Sequence, residues 1–115
     1  MSVLFESGNQ EIWFPSLRVA RLYVDEIKSL EMALELKSGI SSIESDTVTI
    51  DSEEIKSFLN KALERIESTN NRHLFLLARG CIVITIAINA KISGQWPQAK
   101  QKIESLILEA KSLPL

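Results

Sequence analysis

The stretch GCIVITIAINA, Gly80 to Ala90, carries no charged residue and places isoleucine at 82, 84, 86 and 88. Three structures compete for it: a membrane span, a buried strand and the central helix of a small bundle. A span needs about 20 apolar residues to cross roughly 30 Å of hydrocarbon. The uncharged run has 11 residues, about 16 Å as a helix at 1.5 Å per residue, and extending it either way meets Arg79 or Lys91. Within IVITIAIN, isoleucine alternates with Val83, Thr85, Ala87 and Asn89, and five of the eight residues are Val or Ile, which favours a strand. Length favours a helix, because only Gly80 interrupts residues 72–93 and no proline or turn dipeptide does. We expect a helix there, apolar on all sides and so buried on most of them.

The flanking segments read as its coat. Upstream, VLFE and EIWF are separated by Ser7-Gly8-Asn9-Gln10, the outline of a small β-hairpin. Pro15 then opens PSLRVARLYVDEIKSLEMALELKSG, in which Leu17, Ala20, Val24, Ile27, Leu30 and Leu34 recur at helical spacing. Arg18, Asp25, Lys28 and Glu35 fall outside that stripe, and Gly39 is expected to supply the left-handed stop. Thr47, Val48, Thr49 and Ile50 are β-branched and read as a possible third short strand. Asp51 with Glu54 fits an N-cap followed by an acidic third residue, and Ile55, Phe58, Leu59, Ala62, Leu63 and Ile66 form the stripe of the helix it opens. Downstream, Pro97 is expected to start a last helix carrying Ala99, Ile103, Leu106, Ile107 and Ala110. The predicted fold class is mainly α (α+β): about four helices packed around a buried helix at 72–93, with a small N-terminal β-hairpin and a possible strand at 47–50. One globular domain over 1–115 is expected.

Composition narrows the function classes. Hydrophobic residues at 45% and charged residues at 24%, with three prolines and four glycines, describe a globular chain. The N-terminus MSVLFESGNQ shows no basic segment leading into a long apolar run, so a cytoplasmic location is expected. A single cysteine, Cys81, and a single histidine, His73, cannot build a Cys/His metal site, and no metal or cofactor is expected. His73 reads as a surface or capping residue and Cys81 as a small buried hydrophobe. No Gly-rich phosphate loop, HExxH, GxSxG or EF-hand spacing occurs, so an enzyme is not expected. Arg79, inside the apolar segment, requires a carboxylate partner or an escape to the surface. Trp13 and Phe14, beside the hairpin, are expected to close the core.

Charge supplies the functional signal. Net charge is −2, which disfavours a nucleic-acid binder, yet residues 1–70 sum to −6 and residues 71–115 to +4. Packing of the two parts is expected to neutralise some of this. The most polarised stretch is ESDTVTIDSEE, residues 44–54, where Glu44, Asp46, Asp51, Glu53 and Glu54 occur with no Lys or Arg between Lys37 and Lys56. Asp51, Glu53 and Glu54 suit the positive end of a helix. Glu44 and Asp46 exceed that need, and the five together form the candidate partner-binding group, an acidic face able to steer a basic protein.

Two local resemblances and one of profile add to this. GQWPQAKQKIESLILEA looks like the second helix of a tetratricopeptide repeat, with Gly94, Trp96 and Ala99 at turn and packing positions. A repeat would return about 34 residues upstream, and around Asn60 to Arg65 it does not. IWFPSLRVARLYV followed by TVTIDSEEI resembles in outline a group of small uncharacterised bacterial proteins, through Trp13, Pro15, Ser16, Arg18, Ala20, Arg21 and Leu22. The whole profile, short and acidic without catalytic signatures, is similar to contact-dependent growth inhibition immunity proteins. That resemblance implies a protein that binds a cognate toxin, such as a nuclease, and occludes its active site; the alternative is a structural or adaptor bundle acting as a homodimer.

Overall fold

A computed structural model describes residues 1–115. The N-terminal hairpin consists of β1 (Leu4–Ser7) and β2 (Gln10–Trp13). Gly8, at φ 59°, takes the first position of the two-residue turn, where only a residue without Cβ sits freely. The antiparallel register shifts between Phe5 and Glu6, which face Trp13 and Glu11, so Ile12 is an extra residue in β2. The bulge lets consecutive residues serve the core: Ile12 is buried and Trp13 half-buried, its ring 5.0 Å from that of Phe5.

Ser16 caps α1 (Leu17–Leu34), its hydroxyl accepting from the Val19 N–H at 3.3 Å, so Pro15 stands before the cap, two residues outside the helix, rather than in its first turn. The expected stripe is buried, joined by Tyr23, while Leu17 is only half-buried. The helix does not run to Gly39. Glu35 takes the left-handed conformation at φ 56° and ends it four residues earlier. Such a residue costs roughly 1–2 kcal/mol when it carries a Cβ, and tertiary bonds offset that cost. Arg65 Nη1 donates to the Leu34 carbonyl, Lys28 Nζ to the Ile40 carbonyl, and the Glu31 carboxylate accepts from the Ser38 N–H and hydroxyl. Ser38, fully buried, turns the chain toward its next element.

That element is β3 (Thr47–Thr49), and the sheet order is β2-β1-β3. β3 lies parallel to β1, with Leu4 beside Thr47 and Glu6 beside Thr49: β2 returns the chain to the end where β1 begins, α1 leads away from it, and residues 40–44, bridged to Ile50 and Thr47, bring it back. Ile50 lies just outside the strand, bridged to Ile40.

Asp51 caps α2 (Ser52–Ser68), its Oδ1 accepting from the N–H groups of Glu53 and Glu54 at 3.0 and 2.9 Å. All six expected apolar residues of α2 are buried. A short turn leads to α3 (Arg72–Ser93), capped by Asn71 and closed by Gly94 at φ 75°. Residues 82–89 are therefore helix, not strand. Ala78 to Ala90 form the buried part, with Ile82, Ile86 and Ile88 at 0% exposure. By length and hydropathy alone α3 could cross a bilayer, yet half of its most apolar 18-residue window is packed inside the protein. Its first turns are less covered, and Leu77 is 82% exposed.

The last helix, α4 (Glu104–Lys111), starts later than Pro97 suggests. The chain leaves α3 at Gly94 and must return to its opposite end, where Lys102 Nζ donates to the Thr69 carbonyl at 2.6 Å and the Lys102 N–H to Glu67 Oε2 at 3.1 Å. α3 is about 33 Å long; eight steps of extended chain cover about 27 Å, and eight of helix only about 12 Å. Residues 95–100 are accordingly irregular. The buried apolar side chains form one continuous cluster from Val3 to Ala110.

Two glycines test this packing. A Cβ at Gly39 would lie 2.7 Å from Glu54 Cβ and 2.9 Å from the Asp51 carbonyl, at φ 79°. A Cβ at Gly80, inside α3, would meet nothing within 4 Å. Gly39→Ala is expected to lower stability by at least about 1–2 kcal/mol, and Gly80→Ala to raise it by about 0.5–1 kcal/mol. Urea unfolding midpoints read both; equal shifts for the two would contradict the placement of α3 and of the 36–40 loop.

Candidate functional site

The five candidate carboxylates are all exposed and separate into two groups. Glu44 and Asp46 belong to a tight hairpin turn: Glu44 and Thr47 exchange backbone hydrogen bonds of 3.0 Å, and Ser45 and Asp46 between them stand at φ 51° and 59°. Positive φ at both central positions defines the turn that matches strand twist. The Asp46 carbonyl also accepts from the Leu4 N–H at 2.9 Å, tying the turn to β1. Asp51, Glu53 and Glu54 stand at the start of α2, beyond the other end of β3. Asp46 and Asp51 are separated by five residues of mostly extended chain, about 16 Å. The five form two acidic points at either end of one short strand.

Their surroundings differ as well. Asp51 is committed to capping α2. Asp51 and Glu54 share a cleft of ≈ 650 Å³ with Lys28, Lys37 and Glu31, brought there by α1 and the loop after it. Sequence separation hides these lysines. The chain contains two ion pairs, Lys28–Glu31 at 3.6 Å and Arg79–Glu109 at 2.6 Å. Neither includes any of the five carboxylates, and neither joins residues 1–70 to 71–115. The charge asymmetry is not neutralised by ion pairing between the two parts. Arg79 meets both expectations at once, reaching the surface and finding Glu109 on α4.

The interior holds a polar relay that sequence reading missed. The Thr85 hydroxyl donates to the Cys81 carbonyl at 2.8 Å, so at 2.7 Å from the Tyr23 oxygen it accepts the phenol proton. Tyr23 and Thr85 are both buried. The Tyr23 ring also packs against Phe5 and Trp13, at centroid separations of 5.9 and 5.7 Å, linking α1, α3 and the sheet. Tyr23 is in phase with Ala20 and Ile27, which is the signal that could have placed it in the core. Burial, then the neighbouring Cys81 thiol, hold the phenol well above its ordinary range. Burial first, then the Glu26 carboxylate, push the Cys81 thiol from 9.0 up to about 12, against a smaller opposing effect of the Thr85 hydroxyl. Cys81 is 4% exposed and behaves as a packed thiol. Deeper in α3, Asn89 is also buried, and nothing in the structure accounts for its unpartnered Oδ1.

His73 is exposed, and no three His, Cys, Asp or Glu side chains converge closely enough to hold a metal ion. Phe14 departs from its expected place: Trp13 packs into the aromatic cluster, while Phe14 stands 66% exposed. The bulge at Ile12 uses up the inward positions, leaving Phe14 outside.

The thiol yields a test with a definite sign. Unfolded, Cys81 loses its proton above about 9; folded, it keeps it to about 12. Between those values the native state binds more protons, so stability falls as pH rises through that window. A disulfide-exchange reagent at pH 8 should modify Cys81 only in denaturant, and Cys81→Ala should flatten the alkaline loss of stability; rapid labelling of the native protein would contradict its burial.

No curated protein and no solved structure matches the chain. A family model does, that of DUF6086, described as a family of unknown function, across residues 1–114. A match over nearly the whole length, covering the hairpin, both amphipathic helices, α3 and α4, places the chain in the DUF6086 family.

Proposed function

We propose that this protein is a binding module that neutralises a cognate toxin domain, such as a nuclease, by covering a basic active-site cleft as an immunity protein does. One observation supports the reading above others: Glu44, Asp46, Glu53 and Glu54 are exposed on rigid supports, and none is held in an ion pair. A hydrogen-bonded turn fixes the first pair and a capped helix the second. Fixed unpaired charge costs little reorganisation on docking and raises the encounter rate with an oppositely charged surface. Asp51 contributes to the same field while capping α2. Occlusion would come from shape, with charge setting orientation and speed.

The turn conformation dictates the choice of variants. Asp46 sits in the left-handed region, where Asn is tolerated and Lys is strained. The triple variant Glu44→Lys, Asp46→Asn, Glu53→Lys removes the charge while keeping the backbone. Co-purified with the product of the adjacent gene, the wild-type chain should form a complex whose association slows with salt, since screening shortens to about 8 Å at 0.15 M. The triple variant should associate at least about tenfold more slowly and lose most of that salt dependence. An unchanged association rate would remove the acidic surface from the mechanism, and failure of the wild-type chain to bind or inhibit that product would end the toxin reading.

A further inference from the structure

The end of α2, the turn that follows it, the first turns of α3 and Lys102 enclose a cleft of ≈ 520 Å³. Its apolar wall is Ile66, half-buried Phe75 and Leu76, which is 54% exposed. The charged residues that line it, Arg72 and Lys102, are both cationic, and no carboxylate joins them. Glu67, which accepts from the Lys102 N–H, lines a separate cleft. Two other hollows differ in sign: the cleft beside Asp51 mixes lysines with carboxylates, and an apolar groove between α1 and α3 carries only Glu26.

The polar groups of this cleft are unevenly used. Its acceptors already receive hydrogen bonds from within the chain: the Thr69 carbonyl from Lys102 Nζ at 2.6 Å, the Thr69 hydroxyl oxygen from the Asn71 N–H at 3.1 Å, Asn71 Oδ1 from the Leu74 N–H at 3.1 Å and the Asn71 carbonyl from the Phe75 N–H at 3.3 Å. Its donors are largely uncommitted. The Arg72 guanidinium takes part in no ion pair, the Lys102 ammonium has used one of its three N–H bonds, and the Asn71 amide nitrogen and the Thr69 hydroxyl proton are free. Only Asn70 brings a donor and an acceptor in equal measure. A ligand fitted here therefore supplies oxygen acceptors and negative charge at one end and apolar surface at the other. We propose that the cleft binds a small organic carboxylate with an apolar body, its carboxylate taken by Arg72 and Lys102 and its body laid against Ile66, Phe75 and Leu76. An Arg guanidinium offers a carboxylate two parallel N–H bonds, the stronger kind of charge-assisted contact. The volume lies within the range of about 300–1,000 Å³ that holds small ligands, and an apolar wall with a few converging polar groups is the usual build of such sites.

The inference goes beyond the toxin-binding proposal and rests on different residues, so either can fail alone. The probe is 4-phenylbutyrate, titrated into the full chain and followed by amide NMR shifts. It should move the resonances of residues 69–76 and Lys102 with a Kd on the order of 0.1–1 mM, the range open to so small a ligand. The uncharged isostere 4-phenylbutyramide should bind at least about tenfold more weakly, and Arg72→Gln should weaken the acid at least about fivefold, because each removes the charge-assisted contact. Leu76→Ser should weaken both probes alike, since it touches only the apolar wall. Both substituted sites are exposed, so circular dichroism should show the variants folded. Inorganic phosphate, which has the charge and no apolar body, should not displace the acid at about 10 mM. Acid and amide of equal affinity, an Arg72→Gln variant that binds the acid as wild type does, displacement by phosphate, or shifts centred on the α1/α3 groove instead would each overturn the proposal, as would an absence of shifts.

Discussion

An α-helix with isoleucine at four alternate positions has little polar face to offer water, and the fold is arranged around covering that surface. Ile82 and Ile86 share one face of α3 while Ile88 points to another, so one amphipathic neighbour is not enough. α1, α2 and α4 each contribute an apolar stripe, and the sheet closes what they leave through Phe5, Ile12 and Val48. Each Å² of apolar surface that this arrangement removes from water contributes about 25 cal/mol.

Apolar burial sets which elements meet, while a few polar bonds set how they are registered. Tyr23 to Thr85 aligns α1 along α3. Lys91 Nζ donates to the Ile12 carbonyl at 2.8 Å, and Gln10 Nε2 donates to the Lys91 carbonyl at 3.2 Å, so one residue of α3 ties the helix to β2 twice. The loop after α1 depends on Glu31, Lys28 and Arg65 in the same way. These bonds are long-range in sequence and directional, and they orient the surfaces on which the proposed functions rest.

Much of this was readable residue by residue. The stripes of α1 and α2, the caps at Asp51 and Gly94, and the hairpin at Gly8 follow from local chemistry acting over four residues or fewer. The misplacements share a cause. Gly39 was the best local stop for α1, but tertiary bonds to Leu34, Ser38 and Ile40 end the helix at Glu35. Pro97 was the best local start for α4, but the distance the chain must recover keeps it extended. Phe14 reads from the sequence as a core residue, and a bulge two residues earlier turns it out.

The candidate surfaces divide along the same line. Their charge, the acidic run at 44–54 and the imbalance between the two parts, is a property of composition and was determined by the sequence alone. So was the helical hub, because an unbroken apolar run of that length has few other solutions. Which charges stay unpaired, that five carboxylates become two points at the ends of β3, and that Lys28 and Lys37 approach Asp51 were decided only by tertiary structure. The physical reason is range: hydrogen-bonded turns and helical periodicity act between neighbours, whereas electrostatic pairing and surface shape depend on residues that only the packing of α3 brings together.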